Sequence, residues 1–331
     1  MATAEVAIVG AGVNGLATAH ALARAGRDVV VYEQFELGHA RGSSHGRSRI
    51  FRLAYPDAAW VRLAVEALAG WRDLEAESGE ELLVTSGLVE LLADPAQGSQ
   101  AALDECGIAC EVVDAAAAEQ RFGVIPAPGT TAVFHPDAGI VYADRAMSAF
   151  ARGIRIEEGR RIESLDDVEA QAVVVTAGPW ARELLASAGI DLPVVETRET
   201  VAYFRIEGEI NNPVVAEIAN RGHGFYSLAD PIFGLKVGRH MRGKRADPNE
   251  VQQPDKDTVG AIADWTAARF PLVDPEPVHA ESCFYTNTDD ERFILERHGR
   301  IVVGSACSGH GFKFAPVVGE RLAALATEGL A

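Results

Sequence analysis

The feature that most constrains the fold is the motif GAGVNG at residues 10–15, which lies between two apolar segments. Residues 5–9 (EVAIV) are short and β-branched, as a buried parallel strand usually is. The alanine- and leucine-rich residues 16–26 predict a helix, and residues 28–33 (DVVVYE) predict a second buried strand. Together these segments predict a βαβ unit at the start of an α/β fold with a parallel sheet.

The glycines of this motif have distinct roles in a dinucleotide-binding turn. The first permits the tight turn, the second lets the backbone approach a pyrophosphate, and the third allows the helix to pack closely on the strand. The diphosphate would lie on the helix N-terminus, where free N–H groups and the helix dipole favour an anion. Glu33, at the end of the second strand, would accept hydrogen bonds from the ribose hydroxyls. The motif does not distinguish NAD from FAD. The residues assigned to it are Gly10, Gly12, Val13, Asn14, Gly15 and Glu33.

The rest of the chain contains two kinds of segment. Short buried strands recur at residues 171–177 and 301–306, and helices are predicted at residues 58–77, around 97–106 and at 316–328. Four short β-rich runs typical of an antiparallel sheet lie within residues 199–240. We therefore predict two discontinuous domains. The nucleotide-binding domain would comprise residues 1–80, 140–190 and 280–331, and the second domain would comprise residues 81–139 and 191–279.

Charge and cysteine content argue against several classes of protein. The 331 residues include 30 Lys and Arg against 48 Asp and Glu, a net charge of −18, which disfavours nucleic acid or an anionic membrane as a partner. Four cysteines in a chain of this length do not form a disulfide framework, which indicates a reducing compartment. No signal peptide is expected, and no apolar run approaches the roughly 20 residues of a membrane span. These features predict a soluble, cytoplasmic protein.

Four further motifs resemble one family of flavoenzymes. They are GSSHGRSRIFRLAY (42–55), VVVTAGPW (173–180), CFYTNTDDERFIL (283–295) and GSACSGHGFKFAPVVGE (304–320). In sequence and in order they are similar to the D-amino-acid oxidase superfamily, and within it to monomeric sarcosine oxidase, N-methyltryptophan oxidase and pipecolate oxidase. The resemblance implies FAD as the cofactor. It also implies a p-hydroxybenzoate-hydroxylase-like fold, in which a Rossmann-like FAD-binding domain supports an antiparallel-sheet substrate domain.

The resemblance also implies a covalent flavin. In this family an 8α-S-cysteinyl bond links FAD to the cysteine that matches Cys283, and attack by this thiolate needs a thiol pKa lowered by nearby basic residues. Considered alone, a free cysteine is more often a small buried hydrophobe. Cys106 and Cys110 are predicted to share a helix, without the neighbouring His or Cys that a metal site needs. The other residues that the resemblance assigns to FAD are Ser43, Ser44, His45, Arg49, Ala177, Gly178, Trp180, Gly309, Gly311, Phe312 and Lys313.

The same resemblance implies how a substrate would bind. Arg52 and Lys313 match two ligands of the substrate carboxylate, and a guanidinium fork with an ammonium suits an α-amino acid. Lys236 matches the residue beside flavin N5 that promotes the reaction with O2, where a cation stabilises superoxide as it forms. On a strand, the even spacing of Lys236 and His240 places both side chains on one face, although either alone could equally face solvent. The residues assigned to the substrate pocket are His240, Tyr226 and Tyr285.

These assignments predict an oxidase of a small secondary amino acid. Its C–N bond, in an N-methyl or cyclic compound, would be oxidised to an imine while O2 is reduced to H2O2. Two other interpretations stay open, namely a flavin dehydrogenase that passes electrons to a quinone or a partner protein, and a non-catalytic flavin-binding subunit. The sequence does not rank sarcosine, other N-methyl amino acids, pipecolate and proline, and it is compatible with a monomer or a small homo-oligomer.

Overall fold

The computed structural model describes residues 4–94, 98–206, 213–218, 224–240 and 243–330. Helices and strands alternate near both ends of the chain, whereas strands dominate its middle. The α-helices are α1 (Val13–Arg24), α2 (Ala58–Ser78), α3 (Gln100–Glu105), α4 (Ala115–Phe122), α5 (Ala143–Ala151), α6 (Ala181–Ala186), α7 (Lys256–Arg269) and α8 (Ala315–Thr327). Within these ranges of the chain, no helix combines the length and the apolar character needed to span a bilayer.

The first sheet is built around the βαβ unit. Strand β1 (Ala4–Val9) leads into α1, and α1 leads into β2 (Val29–Tyr32), which pairs with β1 in parallel. The predicted βαβ opening is therefore confirmed. The other strands of this sheet are β9 (Arg155–Glu157), β10 (Ala170–Val175), β17 (Ile294–His298) and β18 (Ile301–Ser305). In the described residues the order is β17-β18-β10-β1-β2-β9, and every pair is parallel except β17 with β18.

The second sheet is mainly antiparallel. Its strands are β5 (Leu88–Leu92), β6 (Glu111–Val113), β7 (Thr131–His135), β11 (Val195–Ile206), β12 (Val214–Ile218), β13 (Gly224–Asp230), β14 (Gly234–His240), β15 (Lys244–Arg245) and β16 (Val273–Asn287). Over the described ranges their order is β15-β11-β14-β13-β12-β5-β7-β6, with β16 also paired along β11, and only β12 with β5 is parallel. The predicted combination of a parallel and an antiparallel sheet in an α/β protein is confirmed. The division into two discontinuous domains stays a prediction.

A small third sheet holds the segment that contains Arg49 and Arg52. Strand β3 (Ser48–Phe51) pairs with β8 (Gly139–Tyr142), and β8 pairs with β4 (Leu83–Val84), in both cases antiparallel. Phe51 is completely buried, so this strand is not a free surface run. The pairing fixes the backbone of Arg49, and Arg52 follows directly after the last residue of β3.

Helices α1 and α8 pack against each other at very short range. Gly319 of α8 lies so close to α1 that a Cβ atom added to it would stand 2.6 Å from the carbonyl carbon of Ala17. Leu16 on α1 and Leu322 on α8 are completely buried in the same core. This contact joins the N-terminal and C-terminal parts of the chain next to the β1–α1 turn.

Two local predictions differ from the structure. The helix expected around 97–106 is only six residues long, Gln100–Glu105, and residues 95–97 lie outside the described ranges. The prediction that Cys106 and Cys110 share a helix is wrong. Cys106 follows the last helical residue, and Gly107 then adopts a left-handed φ of 70°, which ends the helix before Cys110.

We expect Gly319→Ala to destabilise the protein, because the added methyl group has no room between α1 and α8. Overpacking of this kind typically costs about 1–3 kcal/mol. Gly260→Ala is the matched control, since Gly260 is exposed on α7 with open space around its Cα, and alanine there should stabilise by about 0.5–1 kcal/mol. Urea unfolding measures both, and equal shifts in the two variants would contradict the close contact.

Candidate active site

A cavity of about 670 Å³ is lined by residues from all three sheets. Its volume lies within the usual range of small-molecule and cofactor sites, about 300–1,000 Å³. Every residue that the sequence assigned to FAD or substrate lines this cavity, except Gly15. The structure therefore brings together, in one place, motifs that are up to 300 residues apart in the chain.

The β1–α1 turn requires glycine at two positions. Gly10 has a φ of 104°, and a Cβ there would lie 2.6 Å from the carbonyl oxygen of Thr176 on the neighbouring segment. A Cβ on Gly15 would lie 2.0 Å from the carbonyl oxygen of Gly10. Gly15 thus keeps the helix close to the turn, which explains why it does not itself line the cavity. The result is a helix N-terminus that opens directly into the cavity.

Two side chains hold the turn in place. Glu33 accepts hydrogen bonds from the backbone N–H groups of Ala11 (2.9 Å) and Phe35 (3.0 Å). Ser44 Oγ accepts one from the N–H of Val13 (3.0 Å). The N-cap residue of α1, Gly12, has no side chain to cap the helix, so apart from the Val13 N–H bound by Ser44 this helix end is open to the cavity. An anionic diphosphate fits this end of the cavity.

Arg49 fixes the loop that precedes β3. Its guanidinium donates to the carbonyl oxygens of Ser43 and Ser48, both at 2.9 Å, and to that of His45. It also lies over the ring of Phe312, 5.4 Å from the centroid. In the described chain Ser43 Oγ and His45 Nε2 are buried without a hydrogen-bond partner. Buried polar atoms of this kind, beside a glycine cradle, fit a large polar cofactor such as FAD.

The register of the second sheet collects the remaining polar residues on one face. Paired residues of neighbouring strands point to the same side, as do residues two apart on one strand. The register pairs Tyr226 with Gly238, Tyr203 with Lys236 and Val201 with Glu281. The side chains that consequently share the cavity-facing side are Val201, Tyr203, Tyr226, Lys236, His240, Glu281, Cys283 and Tyr285.

Lys236 is buried on this face. Its ammonium donates to the carbonyl oxygen of Ser48 at 3.4 Å. Burial lowers the pKa of Lys236 to about 8, and the nearby Arg49 lowers it as well, whereas Glu281 acts in the opposite direction. Lys236 is therefore mostly protonated at neutral pH, and modest changes in its surroundings alter its protonated fraction.

Cys283 does not have the lowered pKa that the sequence led us to expect. Burial raises the pKa of its thiol to about 11, and Arg49 and Lys236 only partly oppose this effect. The basic neighbours are present as predicted, but desolvation of the thiolate outweighs them. In the protein without cofactor, Cys283 is an almost entirely neutral thiol.

Arg52 and Lys313 both line the cavity and lie near the ring of Tyr55. The guanidinium of Arg52 stacks on the ring of Tyr55, 4.3 Å from the centroid, and donates to the carbonyl oxygen of Ala54 at 2.7 Å. The ammonium of Lys313 lies 5.8 Å from the same ring and donates to the carbonyl oxygen of His310 at 2.8 Å. Burial and then Arg52 hold the pKa of Lys313 well below its usual value. Within the part of the chain that the structure describes, no carboxylate pairs with either cation.

The other predicted pocket residues are packed tightly beside these cations. His240 Nδ1 lies 3.3 Å from the hydroxyl of Tyr285. Gly309 has a φ of 70°, and a Cβ there would lie 2.2 Å from the Tyr285 ring and 2.6 Å from His240. The indole N–H of Trp71 donates to the carbonyl oxygen of Lys313 at 2.7 Å, which fixes the backbone of that lysine.

Sequence reasoning missed several residues of this site. Tyr55 and Trp71 support the two cations, and Tyr203 and Glu281 lie beside Lys236. One signal was available, because Glu281 is two residues before Cys283 on a strand and must share its face. The position of Tyr203 depends on strand register, which the sequence alone does not specify. In the described residues no group of His, Cys, Asp and Glu is arranged to hold a metal ion.

Similarity to known proteins extends over nearly the whole chain. Residues 5–325 match the family model DAO, described as FAD dependent oxidoreductase. The chain is 33% identical to peroxisomal sarcosine oxidase of Homo sapiens, covering 96% of this chain and 90% of that protein. It is 28% identical to N-methyl-L-tryptophan oxidase of Salmonella heidelberg, covering 96% and 92%. Among solved structures it is similar to NikD, an unusual amino acid oxidase essential for nikkomycin biosynthesis, with a TM-score of 0.87, 25% identity and coverage of 99% and 95%.

Proposed function

Because this chain belongs to the DAO family of FAD dependent oxidoreductases, we propose that it oxidises the C–N bond of a small secondary amino acid to an imine and reduces O2 to H2O2. The substrate class is N-methyl or cyclic amino acids with a free carboxylate. Relatives named for sarcosine and for N-methyl-L-tryptophan support this class, since both compounds are N-methyl amino acids. The observation that most favours an amino acid is the pair of basic residues, Arg52 and Lys313, which line the cavity near the same tyrosine ring.

FAD, when bound, supplies the acceptor for a hydride equivalent and transfers the electrons onward to O2. We infer that the α1 N-terminus and Glu33 bind its diphosphate and ribose. Arg49 and the loop 43–48 that it holds would contact the isoalloxazine, and the thiol of Cys283 would form the 8α-S-cysteinyl bond. Since the thiol pKa is about 11, a base or the bound cofactor itself must assist its deprotonation.

Arg52 and Lys313 are suited to hold the substrate carboxylate. Placing the buried ammonium of Lys313 near the partly buried Arg52 is unfavourable, as the pKa of Lys313, lowered by burial and by Arg52, indicates. A carboxylate between them removes this repulsion and accepts charge-assisted hydrogen bonds from both. The stacking of Arg52 on Tyr55 and the hydrogen bond from Trp71 limit the movement of both groups. The substrate would consequently be held in one orientation, which is the main requirement for transfer from a C–H bond.

The same cations favour a neutral substrate amine. Arg49, Arg52, Lys236 and Lys313 all line the cavity, so an ammonium group there meets like charges. A substrate bound with its amine unprotonated has a lone pair available as the imine forms. Lys236, buried on the cavity-facing side of β14, would then hold a positive charge where O2 is reduced.

We expect the purified protein to be yellow and to keep its flavin after acid precipitation. Mass spectrometry should find FAD on the peptide that contains Cys283. Cys283→Ser should release all its FAD on precipitation, whereas Cys307→Ser, which changes the other cavity-lining cysteine, should release none. Release of free FAD from the parent protein would overturn the covalent link but not the enzyme class.

Arg52→Ala should raise KM for an amino-acid substrate with little change in FAD content. Loss of a charge-assisted hydrogen bond to a carboxylate costs about 1.5–3 kcal/mol, or roughly ten- to a hundred-fold in affinity. Steady-state peroxide release against a panel of N-methyl and cyclic amino acids measures this. Arg62→Ala, which removes an arginine paired with Glu105 at the surface, is the control. An unchanged KM for Arg52→Ala would place the carboxylate elsewhere.

Lys236→Met keeps much of the side-chain bulk and removes the charge. Reoxidation by O2 should slow by about 10²–10³-fold, because a preorganised charge beside a developing anion contributes that much. Anaerobic reduction by substrate should change far less, and stopped-flow absorbance separates the two half-reactions. Lys256→Met, at the exposed start of α7, is the control. A parent protein that reoxidises only slowly in air would instead support a dehydrogenase with another electron acceptor.

A further inference from the structure

We propose that Glu281, held in place by Tyr203, is a positioning residue that keeps Lys236 in its charged form. This inference rests on the proposed function, since it assigns a partner to the lysine expected to assist the reaction with O2. Glu281 would not touch the substrate or the reacting atoms. It would act only through the charge of Lys236.

Strand register places the three side chains together. Tyr203 on β11 is paired with Lys236 on β14, and Val201, two residues away on β11, is paired with Glu281 on β16. Glu281 and Lys236 therefore lie on the two strands that flank β11, two register positions apart and on the same cavity-facing side of the sheet. Both line the cavity.

Their charged ends converge on the backbone of Gly46. A Cβ built on this glycine would lie 3.6 Å from Glu281 Oε1 and 3.9 Å from Lys236 Nζ. The hydroxyl of Tyr203 donates a hydrogen bond to the same Oε1. The ring of Tyr203 lies 5.7 Å from Lys236 Nζ. Tyr203 thus fixes the carboxylate on the side of the sheet where the lysine lies.

The other charged groups around Lys236 do not replace this carboxylate. Arg49 on β3 repels the ammonium, and the pKa of His45 is lowered to about 4, so its imidazole is neutral. Cys283 is a neutral thiol, or a thioether once flavin is attached. Asp230 on β13 accepts a hydrogen bond from Arg47 at 3.1 Å, which offsets its charge.

Glu281 itself is ionised near neutral pH. Burial raises its pKa, but the hydrogen bond from Tyr203 and the charges of Lys236 and Arg49 outweigh this effect, so that the pKa lies below its usual value. Its second oxygen, Oε2, lies 4.0 Å from Nε2 of His279, a half-exposed residue at the outer side of the cluster. Glu281 is therefore the carboxylate that opposes burial and Arg49 at Lys236.

The sign of the pH effect follows from these contacts. Lys236 is charged below its pKa of about 8 and neutral above it. If the charged form promotes reoxidation, the rate with O2 falls as pH rises through this value. Removing the negative charge of Glu281 lowers the pKa of Lys236, so the fall should occur at lower pH.

The test is Glu281→Gln in the flavin-containing protein, with Glu276→Gln as the matched control. Glu276 is an exposed residue of the same strand, and both changes remove one negative charge. Two quantities are measured from about pH 6 to about pH 10, a range that spans the lowered and the ordinary pKa of a lysine. They are the flavin absorbance of the oxidised protein and the second-order rate constant for reoxidation of the reduced protein by O2. Lys236→Met should abolish the inflection and thereby assign it.

In Glu281→Gln the inflection should move down by about one pH unit or more in both readouts, as expected for loss of a nearby opposite charge. Reoxidation at pH 8 should then slow several-fold, while Glu276→Gln should behave as the parent. Glu281→Asp, which keeps the charge, should restore most of the shift. This rescue separates loss of charge from loss of structure.

The outcomes distinguish this inference from the proposed function. An inflection that is unmoved in Glu281→Gln overturns the role of Glu281 even if the protein is an efficient oxidase. An inflection that persists in Lys236→Met overturns it as well. If the parent protein does not react with O2, the oxidase proposal fails, but a shift in the absorbance titration still supports the Glu281–Lys236 pair.

Discussion

The antiparallel pairing of β11 with β16 determines which side chains of these two strands face the cavity. The pairing runs from Val195 opposite Asn287 to Ile206 opposite Val273 and is regular over the stretch that contains Cys283. Since side chains alternate between the faces of a strand, a slip of one residue would turn Glu281 and Cys283 away from the cavity. The glycine turn meets the segment that carries Lys313 through another contact, the hydrogen bond from Asn14 Nδ2 to the carbonyl oxygen of Ala306 at 3.1 Å. The register of β11 and β16 adds Glu281 and Cys283 to the same cavity.

In this site, burial changes side-chain pKa values more than the neighbouring charges do. The protein has a net charge of −18, yet four basic residues line its cavity, and the two lysines among them, Lys236 and Lys313, are buried. The pKa of Lys236 and that of Lys313 are lowered, and that of the Cys283 thiol is raised, in each case mainly by burial. Anions of the cofactor and substrate would relieve this cost, so ligand binding and stability are linked.

Much of the fold was predictable because its signals are local. The strand–glycine–helix pattern of residues 5–33 specifies β1, α1 and β2 with little help from the rest of the chain. The prediction that a helix includes Cys110 was wrong because Gly107, in the left-handed conformation, ends it, and this glycine is a helix stop signal that the prediction did not use. The positions of the site residues followed from motif resemblance, whereas their roles remain predictions. The thiol pKa of Cys283 was misjudged because sequence shows neighbouring charges but not desolvation, and Tyr203 was missed because register depends on tertiary pairing.

The strand order of the first sheet has a consequence for biosynthesis. Strand β1 is made first, yet it lies between β2 and β10, and β10 in turn lies against β18. Helix α8, which packs on α1, is later still in the chain. During synthesis, the apolar face of α1 that Gly319 covers stays unpacked until residues some 300 positions downstream have been made. The core around α1 is therefore incomplete until α8 has been synthesised, and we expect cooperative folding only once both helices are available.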